Sequence, residues 1–175
     1  MRQQYLVLSI LALIACSPVV GHARLYETEA QCEQRYGKPQ ESPSDKAIPI
    51  LANATNRTYN YQSWKIRVAF LNAKVSMIQY TKSVADASSI TIRDDEANAI
   101  LAGEANGGKW QDKMNFDLFD QLIHPKKWLN TNCSIAYFVG ANRISLVIES
   151  PEVEIFKKAQ AEEKERNRKA SIPKF

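Results

Sequence analysis

Residues 64–82, WKIRVAFLNAKVSMIQYTK, carry the clearest strand pattern in the chain. Large apolar side chains stand at every second position of the first half, namely Trp64, Ile66, Val68 and Phe70. An alternation of period two is typical of a β-strand with one face on a core. Asn72 and Ala73 predict a tight turn because Asn tolerates a positive φ. The stretch therefore predicts an antiparallel hairpin.

A second hairpin is predicted over residues 133–149. The alternating apolar positions are Ile135, Tyr137 and Val139 before the turn, and Ile144, Leu146 and Ile148 after it. Between them Gly140-Ala141-Asn142 supplies residues that favour a turn. Two hairpins of this kind provide strands for one antiparallel sheet.

A short helix is predicted over residues 28–36. Thr28 and Gln31 have the spacing of a capping box, in which each side chain satisfies a backbone amide of the other residue. Gly37 suits the left-handed position after a helix, and Pro39 prevents the helix from continuing. These residues therefore predict where the helix begins and where it ends.

A second helix is predicted over residues 94–105. Asp94 is the expected N-cap, and Asp95 and Glu96 suit the first turn because a helix N-terminus attracts negative charge. An apolar stripe follows at helical spacing, formed by Ala97, Ile100, Leu101 and Ala105. Gly107 and Gly108 end the helix.

These elements predict an α+β fold with a single domain over residues 24–151. Helix and hairpin occur twice in the same order, which predicts two helix-plus-antiparallel-hairpin units over 25–82 and 94–149, packed as one domain. Residues 75–78, VSMI, parallel residues 144–147, ISLV. Chance recurrence of common elements is the alternative to a true repeat.

The first unit resembles small envelope proteins of the SmpA/OmlA (BamE) type. Tyr36-Gly37-Lys38-Pro39 after a capped helix, followed by aromatic strands, carries the resemblance. The resemblance implies an antiparallel sheet and a lipoprotein that helps to assemble β-barrel proteins in the outer membrane. The tandem order of helix and sheet is also similar to the β-lactamase inhibitor protein, which implies a protein-binding role.

Residues 1–23 are predicted to be a signal peptide. A charged start at Arg2 precedes a short apolar run, and small residues follow near a cleavage site. Cleavage after Ala23 would leave Arg24 as the first residue. Alternatively, Leu13-Ile14-Ala15-Cys16 matches a lipobox, and lipidation of Cys16 would anchor the protein to a membrane. The expected location is accordingly periplasmic or extracellular, with a membrane-anchored lipoprotein as the alternative.

The two cysteines that remain after removal of the signal peptide are Cys32 and Cys133. An even pair in an oxidising compartment predicts a disulfide, with two buried free thiols as the alternative. Such a bond would close a loop of about 100 residues and stabilise the fold by about 4–5 kcal/mol in the chain-entropy model.

Residues 152–175 form a tail of dense mixed charge. Such a composition is typical of a solvated helix or of a disordered segment. The part of the tail that begins around Lys157 and Lys158 is therefore expected to be dispensable for stability.

The sequence gives little indication of catalysis. His124 is the one histidine outside the signal peptide, and a hydrolytic site would have to join it to Asp117 or Asp120. No spacing of metal ligands and no glycine-rich phosphate loop is present, so neither a metal nor a cofactor is predicted. The cluster Asp94-Asp95-Glu96 is more simply explained by its place at a helix start. The net charge of +4, of which Arg2 supplies one, is too small to indicate nucleic-acid binding.

Three classes of function remain. The sequence favours a non-catalytic binding or assembly module of a bacterial cell envelope, with another envelope or secreted protein as its partner. A secreted protein-binding inhibitor is the alternative, and a small secreted hydrolase is the third class. Membrane attachment is expected only through lipidation of Cys16.

Overall fold

The computed structural model describes residues 24–40, 47–83, 89–113, 124, 126–140 and 142–171. These residues form three α-helices and seven β-strands, which confirms the α+β class. The helices are α1 (Glu29–Tyr36), α2 (Asp94–Gly103) and α3 (Pro151–Ala170). The strands are β1 (Thr55–Tyr61), β2 (Trp64–Leu71), β3 (Lys74–Lys82), β4 (Trp110–Asp112), β5 (Lys127–Asn130), β6 (Ile135–Val139) and β7 (Ser145–Glu149).

The described strands make one antiparallel sheet in the order β1-β2-β3-β7-β6-β5-β4. Both predicted hairpins are confirmed, as β2–β3 and β6–β7. In the first hairpin, Asn72 and Ala73 have φ values of 50° and 60°. Two consecutive positive φ values are typical of the tight turn that matches the twist of a two-stranded ribbon.

The main core lies between one face of the sheet and the helices α1 and α2. Its largest fully buried side chains come from the strands and from the segment just before α2: Tyr59, Ile66, Ile78, Tyr80, Ile92, Phe138, Leu146 and Ile148. A smaller cluster lies on the other face, where residues 50–54 and the start of α3 cover the sheet around Met77 and Val147. Alternate residues of each strand therefore contribute to different cores.

The predicted end signals of α1 are confirmed. The Thr28 hydroxyl accepts from the Gln31 amide at 3.3 Å, and the Gln31 side chain accepts from the Thr28 amide at 2.8 Å. Gly37 ends the helix with a φ of 82°. This region was predictable because a capping box depends on residues only three positions apart.

The prediction that Asp94 caps α2 is wrong by one residue. Arg93 has the extended backbone of the N-cap, and Asp94 is the first helical residue. The Arg93 amide donates to the Glu96 carboxylate at 2.8 Å, so Glu96 satisfies the amide of the capping residue. The acidic residues still lie in the first turn, where the helix dipole favours them.

The residue match between 75–78 and 144–147 does not agree with the faces of the sheet. Met77 lies in the smaller cluster, whereas its matched residue Leu146 lies in the main core. Ile78 and Val147 are also on opposite faces. Because side chains alternate between faces, a shift by one position reverses every side chain, so these four-residue strings are not equivalent.

The charged tail is helical from Pro151 to Ala170. Its first turn packs on the sheet through the fully buried Val153, with Phe156 against the smaller cluster. Gln160 donates to the Ala52 carbonyl at 2.9 Å, and the side chains beyond it are mostly exposed. None of the helices within the described residues combines the length and the apolar character of a membrane span.

We expect that a chain truncated after Phe156 keeps nearly all of its thermal stability. The truncation keeps Val153 and Phe156, and it removes the contact of Gln160 and the ion pair of Lys157 with Glu149. A partly exposed ion pair contributes at most about 1 kcal/mol. Thermal unfolding followed by circular dichroism checks this, and a fall of the melting temperature by more than about 10 °C would show that the distal helix packs on the domain.

The predicted disulfide is absent, because Cys32 and Cys133 are both free thiols. Cys32 is a fully buried residue of α1 in the main core, and burial raises the pKa of its thiol to about 12. Cys133 is exposed in the turn between β5 and β6, with a φ of 67°. The disulfide was predicted because Cys32 and Cys133 are the two cysteines outside the predicted signal peptide. In the structure the Cys32 side chain is buried and the Cys133 side chain is exposed.

Candidate functional site

A groove lies between α2 and the β4–β5 end of the sheet. Its volume is about 560 Å³. Apolar side chains form the walls, and polar groups form the rim; the lining residues are Asn98, Leu101, Ala102, Ala105, Lys109, Trp110, Asp112 and Trp128. Ala102 is exposed on the side of α2 that faces the groove, so the wall is accessible from solvent. An apolar cleft with a few polar groups at its edge is the usual form of a binding site.

Two tryptophans form the sheet side of the groove. Trp128 is 3% exposed and packs edge-on against Phe138, with 5.3 Å between the ring centroids. The Lys126 ammonium lies 5.1 Å from the centroid of the Trp128 ring, on its face. Trp110 is half-buried and packs against the main core from the outermost strand. The groove therefore has a fixed aromatic floor.

Strand β4 lies at the edge of the described sheet. Lys113 donates its amide to the Lys127 carbonyl at 2.9 Å, and the Thr131 amide donates to the Lys109 carbonyl at 3.2 Å. Odd-numbered residues of this segment thus direct their main-chain groups toward β5. In an antiparallel strand the main chains of the intervening residues point the other way. The N–H and C=O groups of Trp110 and Asp112 therefore face away from β5, and no described strand lies on that side.

Asn130 lies beside the groove, in β5. It is buried, and its side-chain amide donates to the Ala105 carbonyl at 3.3 Å. Its carbonyl oxygen accepts from the Thr131 hydroxyl and the Asn132 amide. Gly108 approaches this carboxamide so closely that a Cβ atom would overlap it. These contacts join the end of α2 to strand β5.

Of the residues in the hydrolase alternative, the structure describes only His124. One ring nitrogen of His124, Nδ1, is 3.1 Å from the Phe138 carbonyl, and the ring packs edge-on against Tyr137. Asp117 and Asp120 lie outside the described residues, so the hydrolase alternative remains untested.

Each carboxylate of the Asp94-Asp95-Glu96 cluster has a basic partner. Arg143 contacts Asp94 at 2.8 Å, Arg93 contacts Asp95 at 3.0 Å, and Lys82 contacts Glu96 at 2.8 Å. Asp94 and Glu96 therefore tie the start of α2 to Arg143 and to Lys82 of β3, whereas Asp95 pairs within the helix start itself. Among the described residues no group of acids, cysteines or histidines could hold a metal ion.

The residues predicted for export, Cys16 and Ala23, lie outside the described residues. Lipidation of Cys16 and cleavage after Ala23 therefore stay predictions.

The groove was not predicted from the sequence. Residues 109–132 gave no clear helical or strand pattern as a whole. A local signal was present in Trp110 and Trp128, two aromatic residues that the pairing of β4 with β5 places on the same face of the sheet. Each strand is only three or four residues long, so the period could not be recognised.

Comparisons with known proteins give no family. No protein-family model and no curated protein matches the sequence. Among solved structures, the crystal structure of a cysteine-rich secretory protein from Staphylococcus aureus subsp. aureus Mu50 aligns with a TM-score of 0.45 and 9% sequence identity. The alignment covers 73% of this chain and 45% of that protein, so the chain spans less than half of its length. At this level the similarity gives no information about function.

Proposed function

We propose that this chain is a non-catalytic protein-binding module that takes up an extended segment of another protein beside β4. The observation that carries the proposal is the edge strand itself. Its outward-facing main-chain groups at Trp110 and Asp112 lie next to a groove with an aromatic floor.

An extended peptide fits both parts of this surface. A strand added to a sheet edge forms main-chain hydrogen bonds, and its alternate side chains enter pockets on one face. Trp110 and Asp112 direct their side chains to the α2 face, because they pair with Asn130 and Trp128 of β5. An apolar side chain of the peptide would therefore enter the groove, while Lys109 and Asp112 at the rim would contact polar neighbours.

The proposed setting is the cell envelope, with another envelope or secreted protein as the partner. A predicted signal peptide supports export, and the choice between Ala23 and Cys16 decides whether the module is released or anchored. Lipid on Cys16 would favour an assembly role in the envelope. A mature chain that begins at Arg24 would be compatible with a secreted inhibitor as well.

We also propose that the domain consists of two related units, 25–82 and 94–149. The strand order supports this, since β1-β2-β3 forms one half of the sheet and β7-β6-β5-β4 the other. Each half follows a helix, and the last strand of each, β3 and β7, meets the other at the centre. In this arrangement the groove belongs to the second unit.

We expect the binding of peptides to depend on the groove. The probe is a set of twelve-residue peptides selected from a random phage-displayed library against the wild-type protein. Trp110→Ala should weaken their binding at least about tenfold, because aromatic anchors carry much of the free energy at protein interfaces. Ala102→Arg should have a similar effect by filling the groove from an exposed helix position, with little change in stability.

Ile155→Ala is the matched control, since Ile155 is an exposed apolar residue of α3 outside the groove. It should leave binding unchanged in isothermal titration calorimetry. Selected peptides that bind Ala102→Arg as tightly as wild type would place the binding surface elsewhere and refute the groove. A library that yields no binding peptide would refute the proposed uptake of extended segments.

A further inference from the structure

A carboxyl group is buried where α1, α2 and β3 meet. Glu104 is the C-cap of α2 and is only 1% exposed. Its Oε1 atom accepts a hydrogen bond from the Tyr80 hydroxyl at 2.8 Å, and its buried Oε2 atom has no partner among the described residues. A buried carboxylate with an unsatisfied oxygen is costly, whereas the protonated form is less so.

Within the described part of the chain, no basic side chain forms an ion pair with Glu104. The titratable and charged groups that face it are Cys32 and Tyr36 from α1, Tyr80 from β3, and Arg24 and Glu27 from the segment before α1. Arg35 is engaged by Glu27 in a partly buried ion pair. The Glu27 carboxylate disfavours a negative charge on Glu104, and the Arg24 side chain opposes this only weakly.

Other contacts hold the two ends of α2 unequally. The start of the helix is tied by the pairs Lys82–Glu96 and Arg143–Asp94 and by the Ile92 amide, which donates to the Arg143 carbonyl. Among the described residues, the polar contacts at the end of the helix are that of Glu104 and the bond from Asn130 to the Ala105 carbonyl, beside the packing of Ile100 and Leu101 in the main core. Loss of the Glu104 contact would therefore release the end of the helix before its start.

We propose that Glu104 is a pH-sensitive latch, which holds the last turn of α2 against Tyr80 when protonated and releases it when the proton is lost to solvent. The latch opens and closes this one turn, and its pH dependence does not depend on whether a peptide is bound in the groove. It therefore goes beyond the proposed binding function, although Ala105 in the released turn is also a groove residue.

The direction of the pH effect follows from linkage. Burial raises the pKa of Glu104 to about 8, and Glu27 adds to the rise, while the Tyr80 hydrogen bond, the Leu25 backbone amide and the charge of Arg24 oppose it. The ordinary pKa of a Glu side chain, which applies to the released turn, is about 4.3. Between these values the closed turn binds one proton more than the open turn, so closure is fully stable at low pH and is lost as pH rises. Tyr36 and Tyr80 stay neutral throughout because burial raises the pKa of each.

The test is hydrogen exchange of individual amides by NMR, with each rate divided by the rate of an unstructured peptide at the same pH. The Glu104 amide, which donates to the Ile100 carbonyl at 3.0 Å, reports the last turn. Its opening constant should rise about tenfold per pH unit, or about 100-fold from pH 5.5 to 7.5, and level off above pH 8. The Ala97 amide, which donates to the Arg93 carbonyl, is the control within the same helix and should not follow.

Glu104→Gln should abolish the rise at residue 104, because an amide does not titrate, and Glu163→Gln on exposed α3 should behave as wild type. Tyr80→Phe is a second variant that keeps the carboxyl group. Removal of the donor should move the plateau to higher pH. An unchanged rise in Glu104→Gln, or an equal rise at Ala97, would overturn the latch.

A titration of the Glu104 carboxyl group in the wild-type protein, followed by its ¹³C chemical shift, tests the latch without any variant. A midpoint near pH 8 is expected. A midpoint near the ordinary pKa of a Glu side chain would contradict the latch.

Discussion

Trp128→Ala should lower the free energy of unfolding by about 3–5 kcal/mol, the range found for truncation of a large buried aromatic side chain. Trp128 is 3% exposed and lies against Phe138, which is fully buried in the main core. Its removal would leave a cavity beneath the groove and would also remove the contact with the Lys126 ammonium. A loss of this size is a large part of the 5–15 kcal/mol that is typical of a domain. Urea unfolding measures it.

Trp128→Phe is the control for this experiment. It keeps an aromatic ring against Phe138, so we expect a clearly smaller loss than for the alanine variant, with the same dependence on urea concentration. A loss below about 1 kcal/mol for Trp128→Ala would contradict a buried aromatic floor and, with it, the rigid wall that the groove requires.

Gly108→Ala should destabilise the domain by about 1–3 kcal/mol, the usual cost of forcing extra atoms into a packed site. The new Cβ would overlap the Asn130 carboxamide, and Thr131 lies close on the same side. Asn130 is unable to move away without loss of its bonds to the Ala105 carbonyl and the Asn132 amide. Thermal and urea unfolding check the effect.

A double-mutant cycle identifies the cause. If overlap with the Asn130 side chain is responsible, Gly108→Ala should cost less in an Asn130→Ala background than alone. Equal costs in both backgrounds would show that the overlap is not with Asn130, and the close approach of Gly108 would then have another explanation.

The parts of the fold that were predicted depend on short-range patterns. The β2–β3 and β6–β7 hairpins have long alternating strands with turn residues between them, and the capping box of α1 spans three residues. In each case the element is specified by its own residues, which lie close together in the sequence. The assignment of Asp94 as N-cap failed by one position because Arg93 uses the side chain of Glu96 instead of its own.

The missed strands lack such a pattern. Strand β1, TNRTYNY, contains only two aromatic residues among polar ones, and it is held by the register of its pairing with β2. Strands β4 and β5 are three and four residues long, and each is specified mainly by its neighbour. The groove requires β4, β5 and α2 together, so it could not be predicted before the order of the sheet was known.

The state of the two cysteines and the burial of Glu104 could not be predicted from composition and local spacing. Cys32 and Cys133 were paired by elimination, whereas the fold separates a core thiol from an exposed one. Glu104 is an ordinary helix-end residue in the sequence, and its burial depends on Tyr80 from a strand 24 positions away. Both properties come from long-range packing, which local spacing does not encode.

Hydrogen exchange of the β4 amides with and without a selected peptide tests the central claim most directly. We predict that a bound peptide slows exchange at Trp110 and Asp112, whose amides face away from β5, and leaves Lys113 unchanged because its amide is already bonded to Lys127. Such alternation is expected only of a strand added along this edge. Protection of other surfaces with no change at Trp110 and Asp112, in the presence of saturating peptide, would contradict the proposed mode of binding.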